Sequence, residues 1–247
     1  MIIAATTRSF SELSFEDACS RLSDLEYDKV ELWFSEQSNQ LKPSEVASDP
    51  EKFLARYKET TRLTPVAMYL EENVETTVLA GLSKLAKLLR VTQITIPASP
   101  LGTPFNTEID RLRSFLEVTN PDGISLSLKT KTGFLTEDPH TAVELCQSVH
   151  GLGLTLDPSY YICGPNRGQG YDQVFPHVFH VHLRDTTPDQ LQVQIGLGEI
   201  DYSRLINQLE RQNYNQVLSV DILPMPENPD GRLLELRKMR MLLETLL

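Results

Sequence analysis

The sequence predicts an α/β fold, a single (β/α)8 barrel in which a closed ring of parallel strands is surrounded by helices. Eight short apolar or β-branched runs, typical of strands, alternate with amphipathic stretches typical of helices. This alternation indicates parallel βαβ units, and a chain of 247 residues has the usual length for eight of them. An open doubly wound sheet is the alternative, but no G-x-G-x-x-G motif follows a strand to support it.

Each predicted strand is a short apolar run that ends at polar or turn-forming residues. In chain order the eight strands are Ile2–Thr6, Lys29–Phe34, Thr64–Leu70, Gln93–Pro97, Ile124–Lys129, Leu152–Asp157, Val178–Leu183 and Val217–Asp221.

The predicted helices carry apolar residues at the three- and four-residue spacing that places them on one helical face. These faces are Phe15/Ala18/Leu22/Leu25, Val78/Leu82/Leu85/Leu89, Ile109/Leu112/Leu116, Ala142/Leu145/Cys146/Val149, Tyr202/Leu205/Ile206/Leu209 and Leu233/Leu236/Met239/Leu243/Leu246. Ser14 and Asp201 precede the first and fifth of these faces as good N-caps. The connection Pro158–His177 is rich in Pro and Gly, so we expect only a turn or two of helix there.

Composition limits the possible partners and location. Hydrophobic residues make up 40% of the chain, enough for a substantial core, and we expect one domain over residues 1–247. The formal net charge of −11 disfavours binding to nucleic acid. Cys19, Cys146 and Cys163 form no zinc-binding spacing and suit a reducing compartment. No signal peptide or long apolar segment is evident, so we expect a soluble cytoplasmic protein without membrane contact. Oligomeric state stays open.

Ionisable and aromatic side chains lie at the predicted C-terminal ends of the strands, where barrel enzymes have their active sites. In strand order they are Arg8, Glu31 with Trp33, Tyr69 with Glu71, Lys129 with Lys131, Asp157, His180 with His182 and Arg184, and Asp221. Charged groups at the ends of apolar strands are costly unless they are paired or bound. Their convergence on one mouth therefore predicts a functional site.

Some of these residues have ordinary structural interpretations as well. Asp157 suits a hard or borderline cation, and the alternative interpretation is a turn aspartate before Pro158. His180 and His182 lie two apart and so share one face of a strand, where one is a candidate ligand and the other a supporting group. Glu31 is either a site residue or the partner of a neighbouring lysine.

Several segments of the second half resemble the xylose isomerase-like TIM barrels. They are Thr-Leu-Asp-Pro-Ser-Tyr-Tyr-Ile, His-Val-His-Leu-Arg-Asp, Gly-Leu-Gly-Glu-Ile-Asp-Tyr, Leu-Ser-Val-Asp and Leu-Thr-Glu-Asp-Pro. This superfamily includes sugar phosphate isomerases/epimerases, ketohexose 3-epimerases and AP endonuclease family 2-like proteins. The clear resemblance spans Gly123 to Asp221.

The resemblance implies a divalent-cation site formed by a Glu, an Asp, a His and a late Glu, with the two glutamates also moving the proton beside a sugar carbonyl. Asp157 and His182 match the Asp and the His, and Asp221 stands where the late Glu usually stands. Lys129 stands where the first Glu usually stands. The predicted catalytic positions are therefore Lys129, Asp157, His182 and Asp221, with Asp157, His182 and Asp221 as metal ligands only if a metal binds at all.

A lysine at the first position reverses the charge of a metal ligand. At ~4 Å and an effective dielectric of about 20, two unit positive charges repel by about 4 kcal/mol, and a divalent ion doubles this. We therefore hypothesise that the Lys129 ammonium lies between Asp157 and Asp221 in place of the cation. The cofactor expected is none, or a weakly bound divalent cation (Mn, Mg or Zn). Lys131 and Tyr160 also stand where the family often has histidines.

The resemblance implies a small sugar, polyol or sugar phosphate as the ligand. The residues predicted to contact it are Arg8, Glu31, Trp33, Lys131, Tyr160, His180 and Arg184. Two functions stay open: an isomerase- or epimerase-like enzyme in which Lys129 polarises a carbonyl or forms a Schiff base, and a non-catalytic, metal-free sugar-binding relative. AP endonuclease activity is not expected. The resemblance implies that this activity depends on a cluster of three zinc ions with many His ligands, and this chain has five His in all.

Overall fold

Eight parallel strands form a closed barrel in this computed structural model, which describes residues 1–225 and 227–247. The barrel strands are β1 (Ile2–Thr6), β2 (Lys29–Phe34), β3 (Thr64–Leu70), β4 (Gln93–Pro97), β5 (Ser125–Lys129), β6 (Leu152–Leu156), β7 (Val178–Leu183) and β10 (Val217–Val220). They follow one another in chain order around the ring, and β10 closes it against β1. The predicted (β/α)8 barrel is confirmed.

Helices follow the barrel strands along the chain, and all but the last of them connect two successive strands. They are α1 (Phe15–Asp24), α2 (Pro43–Ser48), α3 (Pro50–Thr60), α4 (Thr76–Leu89), α5 (Phe105–Thr119), α6 (Pro139–Ser148), α7 (Pro158–Ile162), α8 (Tyr202–Arg211) and α9 (Pro229–Leu246). The predicted caps form. Ser14 Oγ accepts from the Asp17 amide at the start of α1, and the Asp201 carboxylate accepts from the Arg204 amide at the start of α8. No helix in the described part of the chain is long and apolar enough to cross a membrane.

The connections on either side of β7 differ in how well the sequence predicted them. Before β7, the expected short helix is present as α7 and a 3₁₀ helix over Asp172–His177. After β7, an antiparallel hairpin of β8 (Asp185–Thr187) and β9 (Gln190–Val193) was not predicted. The Asp185 carboxylate holds the loop beyond it by accepting from the Gly196 and Gly198 amides at 2.8 and 3.0 Å.

Buried polar side chains of β4, β5 and β6 lie inside the barrel before the C-terminal ends of the strands, whereas the layer between strands and helices is apolar. Thr95, Ser127 and Thr155 are fully buried and joined by hydroxyl hydrogen bonds of 2.7 and 2.5 Å. Gln93 donates to Ser127 and extends this chain. Barrel interiors are usually filled by branched apolar residues. In this barrel a hydrogen-bonded group of polar side chains fills the space beneath the charged residues at the strand ends.

Candidate functional site

Lys129, the last residue of β5, lies at the centre of the predicted site. Its Nζ is 2.8 Å from Asp221 Oδ2, 2.7 Å from His182 Nδ1 and 3.4 Å from Asp157 Oδ2. The Lys129 side chain is 1% exposed and the other three are fully buried. Nζ also lies 4.6 Å from the centroid of the Tyr69 ring, close enough for a cation–π contact. An ammonium has three N–H donors, and two of them are used in the hydrogen bonds to Asp221 and His182.

Arg184, directly after β7, is a second buried cation in the cluster. Its Nη2 pairs with Asp221 Oδ2 and lies 3.0 Å from Asp157 Oδ2, while its Nε donates to the Asp221 carbonyl at 2.9 Å. Burial alone would raise the pKa of Asp221, but Lys129, Arg184 and Arg8 outweigh it and hold that pKa well below its usual range. Burial alone would lower the pKa of Arg184, but Asp157 and Asp221 outweigh it and raise that pKa. The two aspartates therefore share two cations.

Asp157 both caps a helix and pairs with the cations. Its Oδ1 accepts from the amide and hydroxyl of Ser159, and Pro158 occupies the first turn of α7. Its Oδ2 has no well-oriented hydrogen bond among the described residues, although it lies 3.0 Å from Arg184 Nη2 and 3.4 Å from Lys129 Nζ. Asp157 therefore caps α7 and also lies within the charged cluster.

Glu31 of β2 supports the cluster from inside the barrel. Its Oε1 lies 2.9 Å from His180 Nε2 and 3.0 Å from His182 Nε2, and its Oε2 accepts from Ser219 Oγ at 2.6 Å. Burial alone would raise the pKa of Glu31, but His182 and His180 lower it further than burial raises it. The carboxylate is thus ionised and accepts three hydrogen bonds.

The hydrogen bonds assign the tautomer of His182. An ammonium only donates, so Nδ1 of His182 accepts from Lys129, and its Nε2 carries the proton donated to Glu31. Burial lowers the pKa of His182, and the nearby Lys129 adds to this, whereas Glu31 opposes it. His182 is therefore a neutral ring held between one cation and one anion.

A second layer of charged side chains covers the cluster at the mouth. Glu71 Oε2 lies 2.9 Å from Arg8 Nε and accepts from Trp33 Nε1 at 3.0 Å, while Oε1 accepts from Lys131 Nζ at 2.9 Å. The side chains of Arg8, Glu71 and Lys131 are 14%, 17% and 22% exposed. Burial alone would raise the pKa of Glu71, but Arg8 and Lys131 outweigh it and lower that pKa to about 2. Arg8 Nη1 also reaches Asp221 at 3.4 Å and joins the two layers.

The three candidate metal ligands do not fit a divalent ion in this arrangement. Ligand atoms of Asp157, His182 and Asp221 lie within 4.8 Å of one another, but Lys129 Nζ lies 2.7–3.4 Å from those atoms. A magnesium ion needs ligand distances of about 2.0–2.1 Å, so the ion and the ammonium cannot share this space. A second group of possible ligands, formed by Glu31 with the two histidines, is already joined by hydrogen bonds.

The structure brings together all four predicted catalytic positions. Among the predicted ligand contacts, those near the mouth are Arg8, Trp33, Lys131 and Tyr160. Those that are fully buried and bound to protein groups are Glu31, His180 and Arg184. Contact of any of these seven with a ligand stays a prediction. Tyr69 and Glu71 were predicted to lie at strand ends without an assigned role, and neither Ser159 nor Ser219 was predicted as a site residue. Tyr69 and Glu71 stand at a strand end, which was the available signal for them, whereas nothing in the sequence distinguishes the two serines.

Two sizeable cavities lie away from the charged cluster. One of about 600 Å³ is bordered by Tyr161, Tyr171 and Arg204, and another of about 510 Å³ by Gln192 and Met225 near the hairpin. The linings of these cavities include none of the four predicted catalytic residues. We place the candidate site by its converging charged groups, because chemistry identifies function more directly than cavity size.

The closed barrel and the charged residues at its strand ends define a class of protein, and comparison with known families names it. Residues 19–241 match the family model of the xylose isomerase-like TIM barrel. The chain belongs to this family. No curated protein sequence matches the chain.

Solved structures with the same fold include a sugar epimerase, a probable dehydratase and a magnesium-bound barrel. D-psicose 3-epimerase with D-tagatose, from Clostridium cellulolyticum, is 11% identical with a TM-score of 0.74, over 100% of this chain and 99% of that one. The probable 3-DHS dehydratase of petrobactin synthesis from Bacillus anthracis is 17% identical with a TM-score of 0.72, over 97% and 99%. A xylose isomerase-like barrel from Mycobacterium smegmatis, in complex with magnesium, is 14% identical with a TM-score of 0.74, over 96% and 97%. Identities this low show the shared fold alone.

Proposed function

We propose that this protein is a metal-independent member of its family that binds a small sugar or polyol at the barrel mouth without the family's metal-dependent proton transfer. The observation that carries the proposal is the position of Lys129 Nζ, within 2.7–3.4 Å of Asp221, His182 and Asp157. The Lys129 ammonium takes the place of a divalent cation and neutralises the aspartates through charge-assisted contacts.

The balance of charge supports this assignment. The cluster and its covering layer contain four cationic side chains, Arg8, Lys129, Lys131 and Arg184. They also contain four carboxylates, Glu31, Glu71, Asp157 and Asp221. The four cations and four carboxylates balance, so a divalent ion would add two uncompensated positive charges in a buried place.

The same contacts argue against a catalytic role for Lys129. Polarising a substrate carbonyl requires an N–H of Nζ that points to the substrate, whereas Nζ hydrogen-bonds to Asp221 and His182 and lies 3.4 Å from Asp157 Oδ2. Forming a Schiff base requires a carbonyl carbon to reach Nζ, yet Lys129 is 1% exposed beneath the layer of Arg8 and Glu71. Binding without turnover is therefore the better supported of the two functions considered from the sequence.

The ligand class follows from the mouth and from the neighbouring structures. Trp33 and Tyr160, 7% and 8% exposed, are suited to contact the apolar faces and hydroxyls of a sugar. Within the same fold, D-psicose 3-epimerase is solved with the sugar D-tagatose. The net charge of −11 opposes a nucleic acid ligand.

Metal analysis tests the central claim. Protein purified without chelators should contain far less than one equivalent of Mn, Mg, Zn or Co, and tightly bound stoichiometric metal would overturn the proposal. Lys129→Glu should create a divalent site with Asp157, His182 and Asp221, measured by titration calorimetry with Mn²⁺. The matched control is Lys84→Glu, which makes the same charge change at an exposed helix position. Wild-type protein that binds Mn²⁺ as tightly as Lys129→Glu would refute the replacement.

A thermal-shift panel tests the ligand class. Neutral polyols and sugars, sugar acids and sugar phosphates should include at least one compound that raises the melting temperature of the wild-type protein. Continuous assays with the same compounds should detect no epimerisation or isomerisation. Turnover that persists after chelation and dialysis would show that the barrel is catalytic.

A further inference from the structure

Glu71 is held as a bound carboxylate would be held. Both of its oxygens are occupied: Oε2 by Arg8 Nε and Trp33 Nε1, and Oε1 by Lys131 Nζ, with Arg8 Nη2 at 3.4 Å. These donors come from three different strand ends, after β1, in β2 and after β5. Two cations and an indole N–H that converge on one carboxylate form an anion-binding site, and the protein's own side chain fills it.

Glu71 lies in a surface loop, from which its carboxylate can move away from Arg8 and Lys131 into solvent. It is the first residue after β3, in a loop whose next residues are Glu72, Asn73, Val74 and Glu75. All five are at least partly exposed, so an outward rotation of the Glu71 side chain carries its carboxylate into water. Arg8 also pairs with Asp221, and Lys131 Nζ lies 5.1 Å from the centre of the Phe134 ring, so both cations keep a second contact when Glu71 leaves.

The charge balance specifies what can take its place. The site is neutral with Glu71 inside, and exchange for another monocarboxylate keeps it neutral. A neutral sugar in the same position would leave Arg8 and Lys131 without a counter-charge, and a phosphate dianion would add a second negative charge beside Asp221. Unpaired charge in a largely buried site is strongly unfavourable.

We propose that a ligand carboxylate displaces Glu71 from between Arg8 and Lys131, and that the ligand is a polyhydroxy monocarboxylate, a sugar acid, rather than a neutral sugar or a sugar phosphate. This proposal rests on the ligand-binding function proposed above and names the class of its ligand. The hydroxylated remainder of the ligand extends toward Trp33 and Tyr160. Glu71 acts as an internal competitor that keeps the cations paired when no ligand is bound.

Removal of the competitor provides the test, because it empties the anion site. Melting temperatures are measured for the wild type, Glu71→Ala and Glu71→Gln with acetate, inorganic phosphate or chloride at constant ionic strength. Glu72→Ala is the matched control, since it removes the neighbouring carboxylate of the same loop. Acetate at about ten times its Kd should raise the melting temperature of Glu71→Ala by about 3–5 °C and leave the wild type and the control unchanged. Glu71→Gln removes the charge but keeps the size of the side chain, so acetate should raise its melting temperature less than that of Glu71→Ala.

A second experiment compares the acid with its matched polyol. D-gluconate and D-glucitol share their hydroxylated chain and differ in the carboxylate. D-gluconate should bind Glu71→Ala at least about tenfold more tightly than D-glucitol. Adding Lys131→Met to Glu71→Ala should remove this preference.

The outcomes separate this inference from the function on which it rests. Phosphate that stabilises Glu71→Ala more than acetate does would overturn the carboxylate assignment. Binding of D-glucitol or a neutral sugar without any effect of acetate would leave the sugar-binding function intact and refute the sugar-acid inference. Absence of any effect of acetate, sugar acids or polyols on all variants would overturn both.

Discussion

Replacing Lys129 with Met is the sharpest test of how the buried cluster is held together. The substitution keeps a long side chain and removes the ammonium. At an effective dielectric of about 20, Nζ attracts Asp221 at 2.8 Å by about 6 kcal/mol and Asp157 at 3.4 Å by about 5 kcal/mol. Desolvation and repulsion from Arg184 offset much of this attraction. Removal of one partner from a buried ion pair typically costs about 3–5 kcal/mol. Since Arg184 still contacts both aspartates, we expect a loss near about 3 kcal/mol.

Urea denaturation at neutral pH measures this loss. The corresponding fall in melting temperature is about 6–12 °C for a chain of this size. Lys131→Met is the control, because its ammonium is 22% exposed and its pair with Glu71 should contribute about 1 kcal/mol or less. Adding Asp221→Asn to Lys129→Met should restore part of the stability, since both charges are then absent. A Lys129→Met protein no less stable than Lys131→Met would refute the reasoning.

Three further predictions concern the surroundings of the cluster. The pKa of Glu71 is lowered to about 2, so its contribution to stability is complete above the unfolded pKa of about 4.3 and is lost as the pH falls toward 2. Glu71→Gln should therefore flatten the plot of urea midpoint against pH in that window, and an unchanged plot would contradict the ion pairs. Gly198→Ala places a methyl carbon 2.0 Å from the Asp185 carboxylate and should destabilise by about 2 kcal/mol, whereas Gly170→Ala meets nothing within 4 Å and should not; equal melting temperatures would count against the loop geometry. Long-range ¹⁵N–¹H spectra should show His182 as the neutral Nε2–H tautomer at neutral pH, and a doubly protonated ring would contradict it.

Much of the fold could be predicted because its signals are local. Each barrel strand is an apolar run that needs only its own residues to be recognised, and the observed bounds agree with prediction to within one residue, as at Ser125 and Leu156. Parallel strands bring their C-terminal ends to one edge, so the convergence of Lys129, Asp157 and Asp221 followed from strand assignment alone. The hairpin after β7 was missed because its strands are short and polar, with no apolar alternation to detect.

The covering layer could not be predicted for a different physical reason. Glu71 receives donors from residues 38 and 60 positions away along the chain and from Arg8, 63 positions away. The sequence presents each of these residues as an ordinary strand end, and only the closed ring places them around one carboxylate. Pairing between separate elements depends on tertiary geometry, which a single sequence does not encode locally.

Glu31 has a consequence for how the barrel assembles. Its carboxylate bonds to side chains 149, 151 and 188 positions away, on β7 and β10. Contacts of such long sequence separation carry the largest loop-closure cost and lower the folding rate. Until β10 docks, Glu31 lacks the hydroxyl of Ser219, and Lys129 lacks Asp221. Docking of β10 therefore completes both the hydrogen bonds of Glu31 and the ion pairs of Lys129.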